Sequence, residues 1–153
     1  MNQATHERFK ANLKASQPAV LAVQGYLANM GYQSEVPALH VPGTFDDGIA
    51  DSGDIILLYG GETYRIEVKL SRSCLWSELI RFPSIVVDKK STWDAKQPKP
   101  YCYFIVDKTL KTAGLFKCDN WSQTTIKRFR DQVTGIMEPC YAARPDLFTE
   151  VQL

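Results

Sequence analysis

The chain has 153 residues, 44% of them apolar and 23% charged, with a formal net charge of +1. That composition belongs to an ordinary soluble globule of one domain, residues 1–153. No apolar run approaches the eighteen or so residues of a membrane span. The first residues, MNQATHERFK, lack the layout of a secretory signal, so the expectation is a cytoplasmic protein with no membrane partner.

Residues 4–15 predict a short polar helix. Ser16 as N-cap and Pro18 in the first turn predict a second helix through AVLAVQGYLANM, closed by Gly31. Tyr32 to Val41, broken by Pro37, reads as an edge or bent strand. Residues 42–53 form an Asp- and Gly-rich loop. Two apolar strands then flank Gly60–Gly61, and Ser73 caps a predicted helix through CLWSELIRF, stopped by Pro83. Ile85–Val87 reads as a brief strand, and 89–100 as a basic loop with a helical turn at Trp93. YCYFIV (101–106) and AGLFK (113–117) form a second hairpin. Residues 120–134 are predicted as a helix and the Pro-containing tail as irregular. A helix between the third and fourth strands implies a parallel crossover in a mixed sheet.

Cys74, Cys102, Cys118 and Cys140 form no C-x-x-C pair, which argues against a zinc ribbon and for reduced, partly buried thiols. A turn at Thr109–Leu110 brings Cys102 near Cys118. His6 and His40 lack zinc-hydrolase spacing, and no phosphate-binding Gly-rich loop with its Lys occurs.

The chemistry lies in the first hairpin, GDIILLYGGETYRIEVKL. Gly-Gly supplies the positive φ of a two-residue primed turn. Pairing Tyr59 with Glu62 sets Leu57 against Tyr64, Ile55 against Ile66, and Asp54 directly opposite Glu67. Opposed carboxylates have Cβ atoms roughly 5 Å apart, so one must take a proton or share a cation. Strand alternation puts Lys69 on the same face, while Tyr64, Ile66, Val68 and Leu70 form the other. Mg²⁺, or Mn²⁺ in its place, suits such a site, since it takes one or two carboxylates, waters and phosphate oxygens. The Val68 carbonyl is a further candidate ligand. Lys69 would orient the attacking water or stabilise the phosphorane-like transition state. The competing reading makes Thr63, Arg65, Glu67 and Lys69 the solvent face of an amphipathic strand.

Asp54, Glu67 and Lys69, set in SGDIIL and YRIEVKLS, resemble the signature of the PD-(D/E)XK nuclease superfamily over about residues 16–106. One departure is Gly53, where that motif usually has Pro before its first acid. The resemblance implies a restriction-endonuclease-like αβββαβ core of the α/β (α+β) class, a mixed central sheet flanked by helices. It also implies a Mg²⁺-dependent deoxyribonuclease of phage or prokaryotic repair, recombination or restriction type, with a homodimer as a common assembly. Asp54, Glu67 and Lys69 carry catalysis on this reading, and Asp54, Glu67 and Val68 hold the metal. An acid or amide that such enzymes often place near the metal has candidates in Gln24, Glu7 and Glu35. Asp51, in a loop with Asp46 and Asp47, is another supporting acid.

Residues 1–76 hold six Lys and Arg against eight Asp and Glu, and residues 77–153 hold twelve against nine. Arg72, Lys89, Lys90, Lys96 and Lys99 are candidate phosphate contacts to DNA, with RNA an open alternative. Lys127, Arg128 and Arg130 form a second basic cluster. A non-catalytic nucleic-acid- or protein-binding module on the same fold is the rival to the enzyme.

Overall fold

The computed structural model describes residues 3–37, 54–131 and 134–153. His40 and the Asp46, Asp47 and Asp51 loop lie outside them. The elements are α1 (Gln3–Asn29), β1 (Gln33–Glu35), β2 (Ile55–Tyr59), β3 (Glu62–Leu70), α2 (Trp76–Leu79), β4 (Ile85–Lys89), α3 (Lys90–Ala95), β5 (Cys102–Val106), β6 (Thr112–Lys117), β7 (Thr125–Arg130), β8 (Met137–Ala143) and β9 (Thr149–Gln152). A six-stranded sheet runs β1-β2-β3-β5-β6-β9, and a three-stranded sheet runs β4-β8-β7. The architecture is a mixed α+β one. The β3–β5 pair is parallel, with Ile66 beside Cys102, and the other pairs are antiparallel. The expected crossover is therefore present.

Side-chain alternation gives the six-stranded sheet two apolar faces. Ala19, Val20, Val23 and Leu27 of α1 pack on Ile55, Leu57, Ile66, Val68, Phe104 and Val106. On the opposite face Tyr103, Ile105 and Phe116 meet Trp76, Ile85, Val87, Trp93 and Ala143. Among the described residues, only one face carries a long helix. The other is roofed by the small sheet and two short helices, where flanking helices were expected.

Several local expectations change. Residues Gln3–Asn29 form one helix, which runs through Pro18. Just past it Ala19, Val20, Val23 and Leu27 are buried, so packing on the sheet outweighs the backbone hydrogen bond that Pro18 forfeits. The helix ends at Gly31, φ 88°. There Tyr32 N–H bonds to Leu27 O at 2.9 Å and Gly31 N–H to Ala28 O at 3.0 Å, closing the last turn in a left-handed cap.

The helix expected after Ser73 is only the single turn α2. It is pinned where Trp76 N–H donates to buried Asp107 Oδ2 at 3.0 Å and Leu75 N–H to Glu78 Oε1 at 3.1 Å. Trp76 sits over Gly114, where a Cβ would land in the indole ring. In the stretch 120–134, expected as a helix, the described residues form instead a 3₁₀ turn over Cys118–Gln123 and then strand β7, Thr125–Arg130. The β-branched run Thr124-Thr125-Ile126 favours the extended form. The tail is not irregular but supplies β8 and β9. Pro139 is tolerated in β8 because β4 pairs only with residues 140–143, leaving Pro139 beside β7 alone.

Candidate active site

The β2–β3 hairpin turns at Gly60 (φ 60°) and Gly61 (φ 79°). Its register pairs Tyr59 with Glu62, Leu57 with Tyr64 and Ile55 with Ile66, as the turn chemistry requires. The Ile55–Ile66 pair is the last of the ladder, and Asp54 follows at its open end. Asp54 N–H donates to Ile66 O at 3.2 Å, and Asp54 Oδ2 accepts the Val68 N–H at 2.8 Å. The Asp54 carboxylate is thus tied to the β3 backbone one residue past Glu67, close enough for its charge to act on Glu67 and Lys69, and Lys69 is two residues on from Glu67 along the same face of β3.

That face meets solvent only at Thr63 and in part at Lys69, so the amphipathic-strand alternative fails at Arg65 and Glu67. Arg65 and Glu67 are each only 4% exposed, because the small sheet and α3 close over them. Glu67 Oε1 accepts from Arg65 Nε at 2.7 Å, with Arg65 Nη2 also at 2.7 Å. Lys96 Nζ lies 3.9 Å away. Burial above all, then the nearby Asp54 charge, pushes the Glu67 carboxyl up to about 7, against the pull of Lys96, Arg65 and Lys69.

The structure adds a residue that the sequence reading missed. Asp88, at the end of β4, is 2% exposed. Its Oδ1 lies 3.3 Å from Lys69 Nζ. Its Oδ2 accepts from Lys96 Nζ at 2.7 Å and from the Tyr103 hydroxyl. Burial disfavours the Asp88 charge, but Lys69 and Lys96 outweigh it and hold its pKa low. Burial likewise works against the Lys69 charge, and Asp88, Glu67 and Asp54 together raise its pKa. The Lys69 side chain keeps 41% of its surface open, so it is the solvent-reachable member of the cluster. Burial and Asp88 keep Tyr103 protonated. The available signal was an acid closing the apolar run SIVVD, the same kind of signal that singled out Asp54 opening one.

The accessory candidates are scattered. Glu35 pairs opposite Ile56 and is exposed on edge strand β1. Gln24 belongs to α1, which packs on the opposite face of the sheet from Glu67. The basic candidates are not a free patch either. Lys96 is buried within the cluster. Lys89 pairs with Asp131 and with Glu138 at 3.3 Å, and Lys90 pairs with Asp94. Lys99 donates to the carbonyls of Trp93 and Asp94 and lies 5.0 Å from the Trp93 ring centre. Arg72 is exposed.

Cys102 and Cys118 flank the β5–β6 ladder as expected and are free thiols, as are Cys74 and Cys140. Among the described residues no three His, Cys, Asp or Glu side chains gather as a metal-binding group, and no helix is long and apolar enough to cross a membrane.

No family model, curated protein or solved structure matches the chain.

Proposed function

We propose that this protein is a Mg²⁺- or Mn²⁺-dependent deoxyribonuclease built on a PD-(D/E)XK-like core, with Asp54 and Glu67 as metal ligands and Lys69 as the catalytic amine. The observation that carries the reading is the Asp54 carboxylate held on the Val68 N–H beside the buried Glu67, with Lys69 on the Glu67 face of β3. The donor set fits a hard divalent ion, which needs few protein ligands and leaves room for water and phosphate. Glu67 is raised to about 7 by burial and by Asp54, and a cation shared by the two acids would relieve that repulsion. Arg65 occupies Oε1, which leaves Oε2 as the oxygen that would hold an ion, with the Val68 carbonyl as the further candidate ligand.

A bound metal would lower the pKa of a coordinated water and neutralise charge on the phosphate. The chain's own part is to orient Lys69. Asp88 anchors the ammonium from behind at 3.3 Å and keeps it charged, so its remaining N–H groups can donate to a phosphate oxygen or an attacking water. DNA is the substrate proposed, of phage or prokaryotic repair, recombination or restriction type, in a cytoplasmic protein that can act as a homodimer.

One observation favours the rival, a non-catalytic binding module: Arg65 on Glu67 and Asp88 on Lys69 leave the charges satisfied without an ion. Divalent-ion titration separates the two. An enzyme gains thermal stability with Mg²⁺ or Mn²⁺, by about 2.7 kcal/mol at a hundredfold excess over Kd, and cuts DNA. A binding module shows neither effect. RNA assayed in parallel tests the substrate class.

A further inference from the structure

We infer that the outer strand of the small sheet, β7, is a phosphate-contacting arm for a nucleic-acid backbone, with Arg128 and Arg130 as its contacts. The choice of partner rests on the nuclease reading, but the arm is tested by binding alone.

The cross-strand register decides which side chains can act together. Asp88 pairs with Tyr141, and Tyr141 pairs with Ile126. These three residues form one row and share one face. Alternation along β7 puts Arg128 and Arg130 on that same face, opposite Pro139 and Met137. The face that delivers Asp88 to Lys69 therefore extends outward into two exposed guanidinium groups. Lys127 projects from the other face, where its Nζ meets Ser84 Oγ at 3.1 Å.

Charge on this face is one-sided. The described carboxylates that adjoin it already have cations, Asp88 with Lys69 and Lys96, and Asp94 with Lys90. Glu138 lies opposite Phe129, on the Lys127 side, and pairs with Lys89. Each Arg spends a donor on a backbone carbonyl, Arg128 Nη2 on Met137 O at 3.2 Å and Arg130 Nη1 on Gly135 O at 2.6 Å. That holds the planar fork in place while other N–H groups stay available for phosphate oxygens. Exposed Ile126 and Met137 flank the pair and suit contact with sugar edges. A two-stranded ribbon is also a shape that a duplex groove accepts.

The test is fluorescence anisotropy of a short labelled DNA duplex with the full chain in chelator, so that no cleavage occurs, across roughly 50–200 mM salt. Arg128→Ala/Arg130→Ala should weaken binding on the order of tenfold or more and lower the log–log salt slope by about 2, one unit per lost phosphate contact. Arg128→Lys/Arg130→Lys should restore the slope. Lys127→Ala, on the opposite face, should leave it nearly unchanged, and unaltered melting temperatures would show that each variant folds.

An unchanged slope in the double Ala variant overturns the arm, since the cations would then merely guard a sheet edge. So would equal losses from Lys127→Ala, or no duplex binding by the native chain. A concentration-dependent dimer lost in the double variant, with duplex binding intact, would also overturn it, by making β7 a self-association edge. Salt-dependent binding through Arg128 and Arg130 without any metal-dependent cleavage would leave the arm standing and remove the nuclease.

Discussion

Lys69 Nζ lies 3.3 Å from Asp88 Oδ1, a contact between β3 of one sheet and β4 of the other. The relationship joins the two sheets at the candidate catalytic amine. Asp88 also receives Lys96 and Tyr103, so one buried carboxylate fixes the positions of three other side chains.

Lys69→Ala and Asp88→Asn should consequently behave differently. Removing the partly exposed Lys69 amine should leave a folded protein with no metal-dependent DNA cleavage, because Lys96 still compensates Asp88. Neutralising Asp88 leaves the buried Lys96 without its nearest counter-ion, a change that typically costs about 3–5 kcal/mol. Urea unfolding of both variants checks this. Undiminished cutting by Lys69→Ala would dispose of the catalytic assignment, and a fully stable Asp88→Asn would dispose of the anchoring role.

Stability should fall as pH rises through neutrality. Glu67 is raised from 4.5 to about 7 in the folded chain. The folded state therefore binds more protons than the unfolded state between those values, and the Glu67 contribution, complete below about 4.5, is lost as pH climbs through 7. Asp88, whose pKa is lowered, acts oppositely and loses its contribution only in acid. Thermal melts from pH 5 to 8 should thus decline, Glu67→Gln should flatten the decline, and Mg²⁺ or Mn²⁺ should reduce it if the ion displaces the Glu67 proton. A native profile that rises across this range would contradict the environment assigned to Glu67.

Gly114→Ala should destabilise the protein by about 1–3 kcal/mol or more, because the added methyl would occupy the space of the Trp76 ring. Trp76→Leu alone should also destabilise, through lost packing among Phe116, Phe148 and Ala143. Combined with Gly114→Ala it should recover part of the loss. Urea midpoints of the two single variants and the double variant form the cycle that measures the coupling. Additive losses would mean that the two positions do not share the space.

The parts of the site legible from sequence were those set by short-range geometry. Gly60–Gly61 dictates a two-residue turn, and the turn dictates the register from Tyr59–Glu62 to Ile55–Ile66, which leaves Asp54 at the open end of the hairpin beside Glu67. The parallel β3–β5 crossover followed from the order of apolar runs.

What surrounds that hairpin depended on contacts between distant segments. Whether the Arg65–Glu67–Lys69 row faced water or protein was decided by β4 and α3 folding over it, some twenty residues downstream. Lys96 reads as one more surface lysine until Asp88 meets it in the interior, and TIKRFR reads as helix or strand until β8 offers a partner. Alternation along a strand is a local property, so the sequence by itself determined which side chains share a face. Burial, ion pairing and strand partnership are properties of two segments at once, and only the tertiary structure decided them.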